Sequence, residues 1–113
     1  MKIDSILSEL INSLKASDPY KIILFGSYAN NNDTENSDID LMVILDNNDV
    51  SKTYEERQIK KLYIRKLVRE INYKIPLDIL VYSKEELKKI KEYGNYFIDE
   101  IEKTGRVIYE KVS

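Results

Sequence analysis

Apolar residues recur at Ile3, Ile6, Leu7, Leu10, Ile11 and Leu14. This is the one-sided stripe of an amphipathic helix over residues 3–15, with Asp4 or Ser5 placed to cap its start. Ser17-Asp18-Pro19 ends it, because proline disfavours helix in the residue before it. The pattern then changes. Residues 21–25 (KIILF) are short, almost wholly apolar and flanked by turn signals, which predicts a strand buried on both faces. Gly26-Ser27 follows at once, then Tyr28-Ala29 and a polar loop over residues 30–37. A second strand begins with Asp38-Ile39-Asp40, continues through residues 41–45 (LMVIL) and meets the turn cluster Asp46-Asn47-Asn48-Asp49.

Residues 54–73 carry a helical period. Ile59, Leu62, Tyr63, Leu67, Val68 and Ile71 form the expected buried face, and Arg57, Lys60, Lys61, Arg65, Lys66 and Arg69 cover much of the rest. Pro76 stops the helix, and residues 77–82 (LDILVY) read as a third strand, apolar apart from Asp78. Ser83 and Glu86 have capping-box spacing ahead of a helix that carries Leu87 and Ile90. Gly94 interrupts it, and Tyr96, Phe97, Ile98 and Ile101 form a last helical segment closed by Gly105. Residues 106–110 (RVIYE) suggest a short edge strand. Tyr63, Tyr82 and Tyr96 fall at apolar positions and are expected in the core or at its edge. Helices alternating with strands give an α/β (α+β) fold, a small mixed sheet flanked by helices.

Composition narrows the chemistry. The 113 residues fit one domain over 1–113, and a hydrophobic share of 42% supports one core. Lys+Arg 18 against Asp+Glu 20 gives a net charge of −2, so bulk attraction to nucleic acid or an anionic membrane is not expected. The basic stretch 57–69 reads as a solvated helix face rather than an RNA surface, because acids flank it at Glu55, Glu56 and Glu70 and the net charge of the chain is negative. There is no Cys and no His, which excludes thiolate and Ser-His catalysis and His- or Cys-ligated metal. Any metal is held by oxygen: Mg²⁺, Mn²⁺ or Ca²⁺. No apolar run approaches the roughly 20 residues that span a bilayer. The N-terminus lacks signal-peptide character, so a cytoplasmic protein is expected.

Asp is a poor strand residue and costly to bury. Side chains alternate along a strand, so Asp38 and Asp40 point the same way while Ile39 points into the core. Two repelling carboxylates on one face call for a divalent cation. Asp78 on the third strand joins them if the strands are neighbours. Three carboxylates around one point hold two Mg²⁺ ions, as in-line phosphoryl and nucleotidyl transfer requires. Gly26 allows a sharp turn and close approach of a ligand, and Ser27 sits where a helix N-terminus at Tyr28-Ala29 would favour a phosphate.

Gly26-Ser27 followed by Ser37-Asp38-Ile39-Asp40-Leu41 resembles the signature of the DNA polymerase β-like nucleotidyltransferase superfamily. The chain looks like its minimal nucleotidyltransferase (MNT) branch, and the resemblance covers most of the length. It implies that Asp38, Asp40 and Asp78 bind the two Mg²⁺ ions, with Asp78 acting as base near the attacking hydroxyl. Gly26 and Ser27 would hold the terminal phosphates of ATP, and AMP would pass to a hydroxyl with release of pyrophosphate. Small members are often antitoxins whose partner is a HEPN-domain toxin, typically an RNase, silenced by adenylylation of a tyrosine. Many relatives carry Arg-Gly where this chain has Asn30-Asn31. The alternatives are a weak or inactive member that neutralises its partner by binding alone, and an aminoglycoside-type small-molecule nucleotidyltransferase.

Overall fold

The computed structural model describes residues 3–34 and 36–112. In chain order the elements are α1 (Ile3–Leu14), a 3-10 turn (Lys15–Ser17), β1 (Pro19–Phe25), β2 (Ile39–Leu45), α2 (Tyr54–Leu67), α3 (Arg69–Lys74), β3 (Leu77–Ser83), α4 (Lys84–Tyr93), α5 (Tyr96–Thr104) and β4 (Arg106–Glu110). The four strands form one mixed sheet in the order β3-β2-β1-β4. β1 runs antiparallel to both its neighbours, and β2 runs parallel to β3. A parallel pair needs a crossover, and α2 with α3 supplies it.

Strand alternation divides the apolar residues between two layers. Ile39, Leu41, Val43 and Leu45 of β2 join Ile22, Leu24, Ile79 and Val81 in a core roofed by α1, α2 and α3. Met42, Ile44 and Ile23 face the other way and pack against Leu87 of α4 with Ile98 and Ile101 of α5. The central strands are therefore buried on both faces, as their apolar runs predict. No helix among the described residues is long and apolar enough to cross a membrane.

Several boundaries differ from expectation. α1 already includes Asp4 and Ser5, so neither is its cap; Asp4 instead places an acid in the first turn, where the helix dipole favours it. β1 starts at Pro19, whose missing N–H is tolerated at a strand's first residue. The helix over 54–73 breaks at Val68 (φ −114°, ψ 17°), whose amide donates to the Arg65 carbonyl at 3.3 Å, a tightened last turn. A capping box at Thr53 and Glu56, not foreseen, starts α2; the one at Ser83 and Glu86 is present as expected. Gly105 ends α5 with φ −73°, so it is not there for a left-handed turn. A Cβ would collide with the Ile101 carbonyl and come within 2.6 Å of Ile23 Cγ2.

The buried face of α2 is the largest correction. Ile59, Leu62 and Tyr63 are exposed at 67%, 54% and 47%, while Ile64, Val68 and Ile71 are buried. The inward positions step through Arg57, Lys60, Ile64 and Val68. Arg57 and Lys60 turn inward because Glu86, itself 6% exposed, sits there to receive them at 3.3 and 2.7 Å. Tyr96 is likewise exposed, at 80%, and only Tyr82 of the three tyrosines packs at a core edge.

Candidate active site

The end of the sheet where β1 finishes and β2 and β3 begin gathers the acidic residues. Asp40 and Asp78 are register partners on the parallel pair, and Asp40 is also the partner of Phe25 on β1. Register partners share a face, so Asp40, Asp78 and Phe25 lie on the face that α4 and α5 cover. Asp38 stands two residues ahead of Asp40, just before β2 begins. Asp38 and Asp78 are exposed and Asp40 is half-buried. Burial, then the charge of Asp78, then that of Asp38, push the Asp40 carboxyl above its ordinary value. Asp40 therefore feels the charge of both other acids.

Local bonding fixes this end of the sheet. The Asn72 side chain accepts the Leu77 amide at 2.9 Å, tying α3 to the start of β3. The Ile39 amide donates to the Pro76 carbonyl at 3.0 Å, setting β2 against β3 just ahead of Asp40 and Asp78. Ser37 accepts the Thr34 amide on its hydroxyl at 2.8 Å, closing a turn immediately ahead of Asp38.

Gly26 turns the chain directly beneath Asp40. Its φ is +74°, a left-handed conformation that favours glycine. An added Cβ would strike Asp40 Oδ2 and lie 3.1 Å from its Cγ. No regular helix follows. The Ala29 and Asn30 amides donate back to the Gly26 carbonyl at 3.1 and 3.3 Å, and Asn32 donates to Ser27 at 2.9 Å, a run of linked turns. The expected helix N-terminus at Tyr28-Ala29 is thus replaced by a hydrogen-bonded turn, because the chain must leave for the polar loop. Asn31 has φ +57°, which Asn tolerates, so it keeps the backbone form that a glycine would take there. Asn30 supplies no charge.

The donors are all carboxylate oxygens, the hard ligands that suit Mg²⁺. Their mutual repulsion at Asp40 is what a divalent cation would relieve, so the residues fit one. Among the described residues no three acids lie close enough together to hold a metal ion, unlike the three-carboxylate point expected from the sequence, so the fit rests on the register of Asp40 with Asp78 and on charge alone. A groove of about 480 Å³ opens elsewhere, lined by Tyr20, Ile44, Lys84 and Lys88 at the far ends of β1 and β2. None of the three aspartates lines it.

Sequence reasoning did not single out an aromatic pair beside the acids. Phe25 meets Phe97, at the start of α5, edge to face, with ring centres 5.9 Å apart and planes at 83°. Only the position of Phe25 next to Gly26 hinted at it.

A family model described as "Polymerase beta, Nucleotidyltransferase" matches residues 8–113. The chain is 32% identical over 114 residues to the "Putative protein adenylyltransferase" of Methanocaldococcus jannaschii, covering 96% of this chain and 100% of that one. Among solved structures, a chain of a toxin–antitoxin crystallised with AMP-PNP superposes with a TM-score of 0.59 at 16% identity, covering 93% of this chain and 73% of that one. A "putative nucleotidyltransferase" from Sulfolobus solfataricus gives 0.56 at 15% identity, covering 95% and 79%. At these identities the two structures establish a shared fold.

Proposed function

The chain belongs to the polymerase beta nucleotidyltransferase family, and from that premise we propose that it transfers AMP from ATP to a tyrosine hydroxyl of a HEPN-type RNase toxin, acting as the antitoxin. The observation that carries this reading is the in-register pair of Asp40 and Asp78 with Gly26 closed beneath Asp40. The relative named as a protein adenylyltransferase supports a protein acceptor, and the toxin–antitoxin likeness supports the kind of partner.

The strand order gives the reading its geometry. Across the sheet lie Asp78 on the edge strand β3, Asp40 on β2, and Gly26-Ser27 at the end of β1. In this proposal Gly26 and Ser27 hold the terminal phosphates of ATP, and Asp38, Asp40 and Asp78 hold Mg²⁺. Bound Mg²⁺ would neutralise charge on the triphosphate and on the leaving pyrophosphate. Asp78, exposed at an open edge, is reachable by an acceptor as large as a protein. There the tyrosine oxygen bonds to the α-phosphorus and the bond from that phosphorus to the β-bridging oxygen breaks. Pyrophosphate leaves, and the tyrosine proton passes to a carboxylate oxygen of Asp78.

The test is incubation with labelled ATP, Mg²⁺ and the protein encoded by the adjacent gene. Label is expected on a tyrosine of that partner and is expected to vanish with Asp40→Ala. Transfer undiminished in Asp40→Ala overturns the reading. Asn30, where many relatives carry arginine, favours a second reading, neutralisation by binding alone. That reading stands if the double variant Asp38→Ala/Asp40→Ala still silences the partner in cells.

A further inference from the structure

The inner side of α5 is already satisfied by Ile98 and Ile101, exposed at only 1% and 3%. Phe97, beside Ile98 in sequence, does not join them in the core. It remains 53% exposed, at the mouth of the sheet end that holds the acids. Its contact there is Phe25, whose ring it meets edge to face. Phe25 in turn is the register partner of Asp40, and directly opposed residues of an antiparallel pair hold their Cβ atoms about 5 Å apart. The chain Asp40, Phe25, Phe97 is therefore continuous on one face of the sheet. What sets Phe97 apart from the other exposed aromatics is this place, with a free ring face beside the acids and a second ring fixed behind it.

We propose that Phe97, backed by Phe25, is the platform on which the purine base of the nucleotide stacks. This rests on the nucleotidyl-transfer reading above and adds to it the residue that selects the base. Carboxylates and the Gly26 turn engage only the phosphate end, and they treat every nucleoside triphosphate alike. An aromatic ring beside them supplies the missing recognition of the base, and stacking favours the larger π surface of a purine. Phe25 holds the platform in place through its edge-to-face contact, while Asn95 caps α5 by accepting the Ile98 amide at 3.1 Å and fixes where Phe97 projects.

The experiment measures binding by titration calorimetry in Mg²⁺, with ATP and with inorganic tripolyphosphate as probes. It compares wild type with Phe97→Leu, which keeps apolar bulk without a π face, and with Phe97→Trp. Phe97→Leu is expected to weaken ATP about tenfold, as loss of one base–aromatic stack does, and to leave tripolyphosphate unchanged. Phe97→Trp is expected to hold ATP at least as tightly as wild type. Because the side chain is half exposed, thermal melts of both variants should match wild type closely, which keeps misfolding out of the comparison. Equal weakening of both probes, or no weakening of ATP, overturns the platform while leaving the nucleotidyl-transfer reading intact. A wild-type protein that binds neither probe overturns both.

Discussion

Asp40 is held against its own charge. Burial and the carboxylates of Asp78 and Asp38 raise its pKa above the ordinary range. An acid whose pKa rises on folding favours the protonated folded state, so its contribution weakens as the pH climbs through the carboxylate range and is a net cost at pH 7. Asp40→Asn keeps the shape and removes the charge. Without metal at pH 7 it should raise stability by about 0.5–1 kcal/mol, the usual gain when a strained functional residue is relieved. The gain should disappear below pH 3, where Asp40 is protonated in both states. Mg²⁺ should raise the melting temperature of wild type and much less that of Asp40→Asn; equal shifts in both would argue against the carboxylates as its site. Gly26→Ala makes the complementary point. The left-handed backbone alone costs about 1–2 kcal/mol, and the new methyl group displaces the Asp40 carboxylate. A Gly26→Ala protein that melts like wild type would show that the turn tolerates a side chain.

At the scale of elements, α2 shows what a linear pattern can and cannot carry. The strands were legible because each is an apolar run with turn residues on both sides, and the helix at Ser83 because both halves of its capping box lie within four residues. The rotation of α2 was not legible. Its first inward positions, Arg57 and Lys60, are charged, and the partner that draws them in, Glu86, is 29 and 26 residues further along. Arg57 also lies over the Tyr82 ring at 5.0 Å. A rule that places apolar residues inside and charges outside picks the wrong stripe whenever a buried carboxylate competes for the helix. The two stripes are separable by truncation. Ile64→Ala, at a fully buried site, should cost about 2–5 kcal/mol, whereas Ile59→Ala and Leu62→Ala should each stay within about 0.5 kcal/mol by denaturant melts. A cost at Leu62 as large as that at Ile64 would mean that α2 turns its other side to the sheet. The acids were legible for the opposite reason. Asp40 and Asp78 interrupt apolar strands, where a charge without a use is costly, and pairing the strands set them side by side, with Asp38 just ahead of β2. Phe97 gave no such signal, because an aromatic residue in an amphipathic helix looks like core until the sheet beneath it is seen.

For the molecule as a whole, Glu86 joins the two helical layers around the edge of β3. Its carboxylate accepts from Lys60 and Arg57 on α2, from the Ser83 amide at the start of α4 and from the Ser51 amide in the loop before α2, at 2.7–3.3 Å. α2 roofs one face of the sheet and α4 the other, so this one group ties both layers to the end of β3 opposite Asp78. Burial by itself would raise its pKa. The hydrogen bond from Lys60, those from the two amides and the lysine charge outweigh burial and lower it from 4.5 to about 2. An acid with a depressed folded pKa stabilises the protein above its unfolded value, and that stabilisation is lost as the pH falls from about 4.5 towards 2. A shift of this size corresponds to about 3 kcal/mol. Wild type should therefore lose stability steeply across that window in denaturant melts. Glu86→Gln should be weaker by about 3 kcal/mol at pH 7 and clearly less steep than wild type over the same window, because the group with the largest lowering is gone and Lys60 is left beside a neutral amide. The proposed Mg²⁺ response of the acids gives this a second readout. Since Glu86 lies on the far side of β3 from the acids, Glu86→Gln should lower the melting temperature while leaving the Mg²⁺-induced shift intact. A variant that lost the Mg²⁺ response in step with its stability would show that the edge strand carrying Asp78 depends on this tie for its position.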